Sequence, residues 1–265
     1  MRSLLTVLTA RIDRSATAWR VRPGVARMVF WLPIAGALLL IPLRVFAEPA
    51  YRFILAEDGP VETVGFLCFA IATVAAGASA ARLARGGATA AAILLGLGAV
   101  GLVFITGEEI AWGQRMFGIV TPESLAAVNK QNELTLHNIS AIQHALTFAM
   151  LLVGAWGAAM PLLIAAPCPS LEEPGITSLI IPPFFASGAF ALTFVYRLVR
   201  YTVWRPSGFS ITKYAEWIEM SLGFGICVFL LLVYRRLAHA RSERPLAAMA
   251  AFGLQREAAR SKESR

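Results

Sequence analysis

A chain of 265 residues that is 57% hydrophobic and 15% charged, with mean hydropathy +0.65, departs from the about 25% charge of a soluble domain. This composition excludes a disordered chain and argues against an ordinary water-soluble enzyme. The net charge of +8 would point to nucleic acid in a soluble protein. Here the basic surplus sits at the two chain ends, so the expected partner is an anionic membrane surface and nucleic acid is not expected.

The arm 1–27 carries six arginines against one acid, Asp13. Its short apolar stretch 4–10 is followed by Arg11 and Arg14 and does not read as a cleaved signal. Two readings stand: an amphipathic helix lying on the headgroups, or a disordered basic arm. Hydropathy then predicts six spans of about 20 residues, enough to cross about 30 Å of hydrocarbon. They are 28–47, 61–81, 89–106 with a helical extension through 117, 139–165, 178–196 and 211–234. Each is expected to be a helix, because an open strand in lipid leaves backbone groups unpaired. The expected fold is an all-α polytopic membrane bundle over 28–234. A basic tail, 235–265, with eight bases and three acids, trails into solvent.

Within the spans, Gly96, Gly98, Gly101, Gly154, Gly157, Gly223 and Gly225 read as close-packing positions. Pro33, Pro42, Pro161 and the Pro182–Pro183 pair predict local bends. Cys68, Cys168 and Cys227 stand alone with no CxxC, which argues against a disulfide framework or a thiolate zinc site.

The positive-inside rule puts both termini in the cytoplasm, here of a bacterial-type inner membrane, and six spans satisfy it. The inner side then carries sixteen bases and six acids, the outer side ten acids and eight bases. Arg197, Arg200, Arg205 and Lys213 fall outside and Glu172 and Glu173 inside, against the rule. Several outer charges have helical spacings. Asp58 and Glu62 are i,i+4, Glu216 and Glu219 are i,i+3 beside Trp217, and Arg197 and Arg200 are i,i+3. Glu108, Trp112 and Arg115 would share one face of the extended third span. Ionisable groups at membrane depth cost about 2.5–3.5 kcal/mol each, so they face a bundle interior and find partners. A polar cluster inside the outer leaflet is therefore expected; scattered interfacial charges are the alternative.

The segment 107–138 is polar and aromatic between two strong spans. Thr121 reads as a helix cap with Pro122 in the first turn, predicting a short helix to Lys130. Asn129, Gln131, Asn132, Glu133, His137 and Asn138 follow within ten residues. The segment is either a wet connecting loop or a lid or re-entrant element supplying a site. His137 and His144 are i,i+7, about 10.5 Å apart along a helix, too far for one metal unless the helix begins after His137. A divalent ion would need His137 with Glu108, Glu109 or Glu133. Metal-free acid–base work could use Glu108–Glu109 or Glu216–Glu219, and membrane carboxylates also serve ion-coupled carriers. No HExxH, GxSxG, GxGxxG or GxxxxGK[ST] occurs, so neither a serine nucleophile nor nucleotide binding has support.

The runs GEEIAWGQRMFG (107–118), NKQNELTLHN (129–138) and EDGPVE (57–62) resemble signatures of uncharacterised bacterial multi-pass membrane proteins. That likeness covers the second to fourth spans and implies no activity. The acidic pair Glu57-Asp58 opening a span is faintly similar to the alkaline-ceramidase and progestin-receptor-like hydrolases. Those have seven spans and a zinc held by three histidines, with an acid near a serine; this chain departs in having no histidine triplet and six spans.

The expected working site has Glu108, Glu109 and His137 as catalytic groups. Asp58, Glu62, Trp112, Arg115, Gln131, Asn132, Glu133, Arg197, Arg200, Glu216 and Glu219 are its binding residues. The expected function is a membrane hydrolase or transferase acting on a lipid or lipid-linked headgroup, with arginines holding phosphate. An ion-coupled transporter and a non-catalytic subunit of a membrane complex are the alternatives.

Overall fold

The computed structural model describes residues 3–129, 133–136, 139–163, 176–203 and 208–263, with 115, 140, 141, 176, 177, 209 and 240–263 described in backbone alone. It is an all-α polytopic bundle. Six helices are long and apolar enough to cross a membrane, so the chain is a multi-pass membrane protein.

Helix α1 (Leu4–Ala18) starts at Ser3, whose hydroxyl accepts from the Thr6 amide, satisfying one of the helix's unpaired donors. Ile12, Ala16 and Trp19 are buried in the main core cluster. The N-terminal arm is thus a helix docked on the bundle. Helix α2 (Pro23–Phe46) opens with proline in its first turn and runs on through Pro33 and Pro42. A short α3 (Glu48–Ile54) leads to α4 (Pro60–Arg85), which ends at Gly86 and the left-handed Gly87. Arg82 and Arg85 in its last turn lie at the negative end of the helix dipole.

Helix α5 (Thr89–Glu109) stops eight residues short of the predicted extension. Ala111 and Trp112 adopt left-handed φ values of 47° and 52°, which places the Trp112 ring back over Gly107. A Cβ at Gly107 would lie 2.7 Å from that ring. A 3-10 turn (Ala111–Gly113) and α6 (Gln114–Phe117) follow. Helix α7 is one turn (Glu123–Ala126) with Pro122 at its cap, shorter than the predicted helix to Lys130. Thr121 does not cap it; its hydroxyl accepts from Gln114 Nε2. Helix α8 (Ser140–Leu163) begins after His137, so the two histidines do not share a described helix face. Pro182 and Pro183 separate α9 (Ile176–Ile180) from a 3-10 turn and α10 (Ser187–Thr202). Helix α11 runs from Phe209 to Glu263, so the basic tail continues the last span as helix instead of leaving it near Tyr234.

Helix α4 packs between α5 and α11; α11 packs on α10, and α10 on α8 and α2. The glycines divide by neighbour. A Cβ at Gly154 or Gly157 would collide with Phe194 or Phe190 of α10, and one at Gly188 would sit 2.0 Å from the Phe30 carbonyl oxygen of α2. Gly223 and Gly225 lie against Phe69 and Phe190. Gly96, Gly98 and Gly101, also predicted to pack, have no described atom within 4 Å of a would-be Cβ. Cys68 of α4 and Cys227 of α11 are free thiols, while Cys168 falls outside the described residues.

Candidate functional site

The bundle has two polar ends. At one, the turn after α1 meets the end of the α11 span, through Trp19 and Arg235. The other end gathers α3, the starts of α4 and α11, and the C-terminal ends of α2, α5 and α10.

At that second end a small apolar cluster of Leu40, Tyr51, Leu55 and Val61, backed by Tyr214 and Trp217, forms a floor. Trp217 donates to the Pro33 carbonyl and Tyr214 to that of Ala37, which ties α11 to α2. Tyr51, almost fully buried, donates to the Ser210 carbonyl, and Arg44 donates to the Ser210 hydroxyl. Burial pushes the Tyr51 phenol above its ordinary value. Glu48, at the surface, bridges Arg44 and Arg52 at 3.2 and 2.7 Å; hydrogen bonding from Arg52, with the charge of Arg44 beside it, holds its carboxyl low.

Upon this floor stand the carboxylates. Glu62, Glu216 and Glu219 lie within electrostatic range of Glu109, so three helices contribute to one group and all four residues are half-buried. Arg197 enters from α10. Its Nη2 donates to Glu219 Oε1 at 2.5 Å and lies 3.1 Å from the Met150 sulfur, while its Nε has no partner among the described residues. Lys213 reaches Glu57 and Glu216, each at 3.5 Å. Arg197 and Lys213, two of the cations that run against the positive-inside count, are therefore paired with acids. Arg200 is half-buried near Tyr196, whose ring lies 5.8 Å from that of Tyr214.

Asp58 is exposed at φ 57°, and its backbone amide donates to Glu62 Oε2. That contact reaches back over the start of α4 much as a capping box does.

Glu108 faces another way. It is 5% exposed. Oε1 accepts from Trp112 Nε1 and Oε2 from the Leu136 amide, both at 2.7 Å. It thereby pins the segment that follows α5. Other side chains of that segment act similarly. Gln114 accepts from the Leu134 amide, and buried Asn129 donates to the Glu133 and Thr135 carbonyls and accepts from the Glu133 amide. Asn129 also pairs with Ile139 in an isolated antiparallel bridge that closes the segment. The described part of 107–138 is thus a folded cap held by its own polar groups, with Met116, Phe117 and Val120 exposed on its outside. Backbone groups without helix or sheet partners need such side chains.

The fold brings Glu62, Glu109, Arg197, Glu216 and Glu219 together, and puts Glu108, Trp112 and Glu133 in the neighbouring cap. Gln131, Asn132 and His137 lie outside the described residues, as does the Arg115 side chain. Among the described residues no three His, Cys, Asp or Glu side chains converge as a metal site. Sequence reasoning missed Gln114, Thr135, Tyr196, Tyr214 and Met150. The one available signal was Gln114, a polar residue with no role in an apolar-aromatic run. Comparison with protein families, with curated proteins and with solved structures finds no match to this chain.

Proposed function

We propose that the protein is a bacterial-type inner-membrane hydrolase or transferase, with both termini cytoplasmic, that handles a lipid or lipid-linked headgroup by proton transfer at the carboxylate–arginine end of the bundle. The orientation rests on the arginines of the opposite end, among them Arg20, Arg82, Arg85, Arg235 and Arg236, which belong beside anionic inner-leaflet lipids. The observation that carries the reading is Glu109. It is half-buried, faces carboxylates from α4 and α11, and makes no hydrogen bond among the described residues.

Glu109 is the proton-transfer group: it takes the proton of the attacking hydroxyl or water as the new bond forms and returns it to the leaving oxygen. Glu108, with both oxygens engaged, positions the cap. Arg197 and Arg200 neutralise charge that develops on the headgroup. A second reading, an ion-coupled carrier, is favoured by one feature. Four carboxylates, Glu62, Glu109, Glu216 and Glu219, gather at one end of the bundle, the kind of group that loads and releases an ion.

The test reconstitutes the purified full chain in vesicles of bacterial total lipid and follows lipid species by mass spectrometry. Time-dependent conversion by the wild-type chain, lost in Glu109→Gln with the fold retained, supports the reading. No conversion, or equal conversion by Glu109→Gln, overturns it. In that case, cation flux across the same vesicles that depends on Glu109 establishes the carrier.

A further inference from the structure

The opposite end of the bundle contains a cleft that the reading above does not use. Trp19, Arg20, Arg235, Arg236 and His239 line it, and its cavity volume is about 160 Å³. None of its lining residues is acidic. The α11 span ends at His239, so the cleft lies where headgroups meet the hydrocarbon edge.

Part of its basicity has a structural role. Arg235 Nη2 donates to the Trp19 and Arg20 carbonyls, and Arg236 Nη2 donates to that of Ala18 at 2.6 Å. These are the last carbonyls of α1 and its turn, which attract cations. Arg20 itself is left-handed at φ 49° and exposed, turned out at the rim. Arg236 is different. It is 6% exposed, its guanidinium carbon lies 3.6 Å from the Trp19 ring centroid, and its Nε and Nη1 have no partner among the described residues. Capping α1 uses one nitrogen and stacking uses the guanidinium face. Two buried donors remain, and leaving such donors unsatisfied costs more than a hydrogen bond returns. The Nε hydrogen lies beside Nη2, the nitrogen already given to Ala18, so Nε and Nη1 diverge and each offers a single charge-assisted contact to an anion's oxygen.

We propose that this cleft receives a phosphate-bearing anion, with Arg236 as the buried charge-assisted donor, Arg20 and Arg235 as neutralising cations and Trp19 as the platform that holds Arg236 in place. The chemistry is shared by the phosphodiester of an anionic lipid headgroup and by free inorganic phosphate. Neither depends on catalysis at the far end.

The test is native mass spectrometry and thermal unfolding of the full chain in a neutral detergent, with phosphatidylglycerol, phosphatidylcholine or inorganic phosphate added. The variants are Arg236→Gln, Arg20→Gln at the rim, and Arg85→Gln as a basic control at the same end. Wild type and Arg85→Gln are expected to retain phosphatidylglycerol, with about tenfold weaker retention in Arg236→Gln, as for loss of a charge-assisted contact. A smaller loss is expected in Arg20→Gln. Arg236-dependent stabilisation by inorganic phosphate as well identifies the phosphate group alone as the ligand; dependence confined to phosphatidylglycerol identifies a lipid. Equal retention by wild type and Arg236→Gln, or equal retention of phosphatidylcholine, overturns the proposal. Should Arg236→Gln not fold, Arg20→Gln decides: unchanged retention of phosphatidylglycerol overturns it and weakened retention supports it. Retention and ligand-dependent stabilisation are read without turnover, so this site and the proposed catalytic site fail independently.

Discussion

Arg197 of α10 and Glu219 of α11 meet at 2.5 Å, the arginine only 8% exposed and the carboxylate about one-third exposed. The pair joins the most buried span to the helix that supplies two of the clustered acids. Breaking a buried pair from one side strands the other charge, at about 3–5 kcal/mol when burial is complete. Glu219 is partly wetted, so the cost here is lower. Glu219→Gln is expected to lower stability by about 2–3 kcal/mol and Arg197→Met by less, since methionine fits beside Met150. The double variant is expected to be more stable than the sum of the singles predicts. Unfolding in mixed micelles measures all three, and additive losses would show that the pair does not couple the helices.

Glu108 and Glu109 are adjacent in sequence, yet one is engaged by the cap and the other faces carboxylates. Glu108→Gln replaces an acceptor oxygen with a donor, so either Trp112 Nε1 or the Leu136 amide loses its partner. The expected cost is about 1–3 kcal/mol, together with faster proteolysis across 110–139. Glu109→Gln removes a charge from among like charges, and stability is expected to hold or rise. The reverse order of stabilities would contradict this division of roles.

Glycine positions separate just as clearly. Gly188→Ala forces a methyl against the Phe30 carbonyl, with backbone on both sides and nothing free to yield. A loss of about 1–3 kcal/mol or more is expected. Gly98→Ala meets open space in a helix interior, where alanine is better by about 0.5–1 kcal/mol. Thermal midpoints in detergent should move in opposite directions.

Asp13 of α1 takes a paired contact from Arg27 of α2, at 2.9 and 2.6 Å. Hydrogen bonding from Arg27 holds the Asp13 carboxyl below its ordinary value near 3.8. A lowered carboxyl contributes docking stability in full above that ordinary value and loses it as pH falls through the lowered one. Hydrogen exchange of the α1 amides is therefore expected to be pH-insensitive in its protection above about pH 5 and to weaken below about pH 4, after correction for intrinsic exchange rates. Asp13→Asn should abolish that step. Persistence of the step in Asp13→Asn would assign it to another group.

The fold class and six spans were legible because hydrocarbon thickness and hydropathy act locally and add along the chain. Gathering Glu62, Arg197, Glu216 and Glu219 at one end was legible for a related reason: charges at span ends are too costly to leave unpaired. Other features depended on which surface met which. Nothing in the spacing of Gly96, Gly98 and Gly101 sets them apart from Gly154 and Gly157, because a glycine's role depends on the helix opposite. The break after Glu109 arises when the Trp112 ring settles over Gly107 and takes Glu108 as acceptor, at the expense of helix continuation. The Arg236–Trp19 stack joins residues more than 200 positions apart. Composition and periodicity report what a segment must bury. They do not name its neighbour, because that choice is made by packing energies between segments distant in the chain.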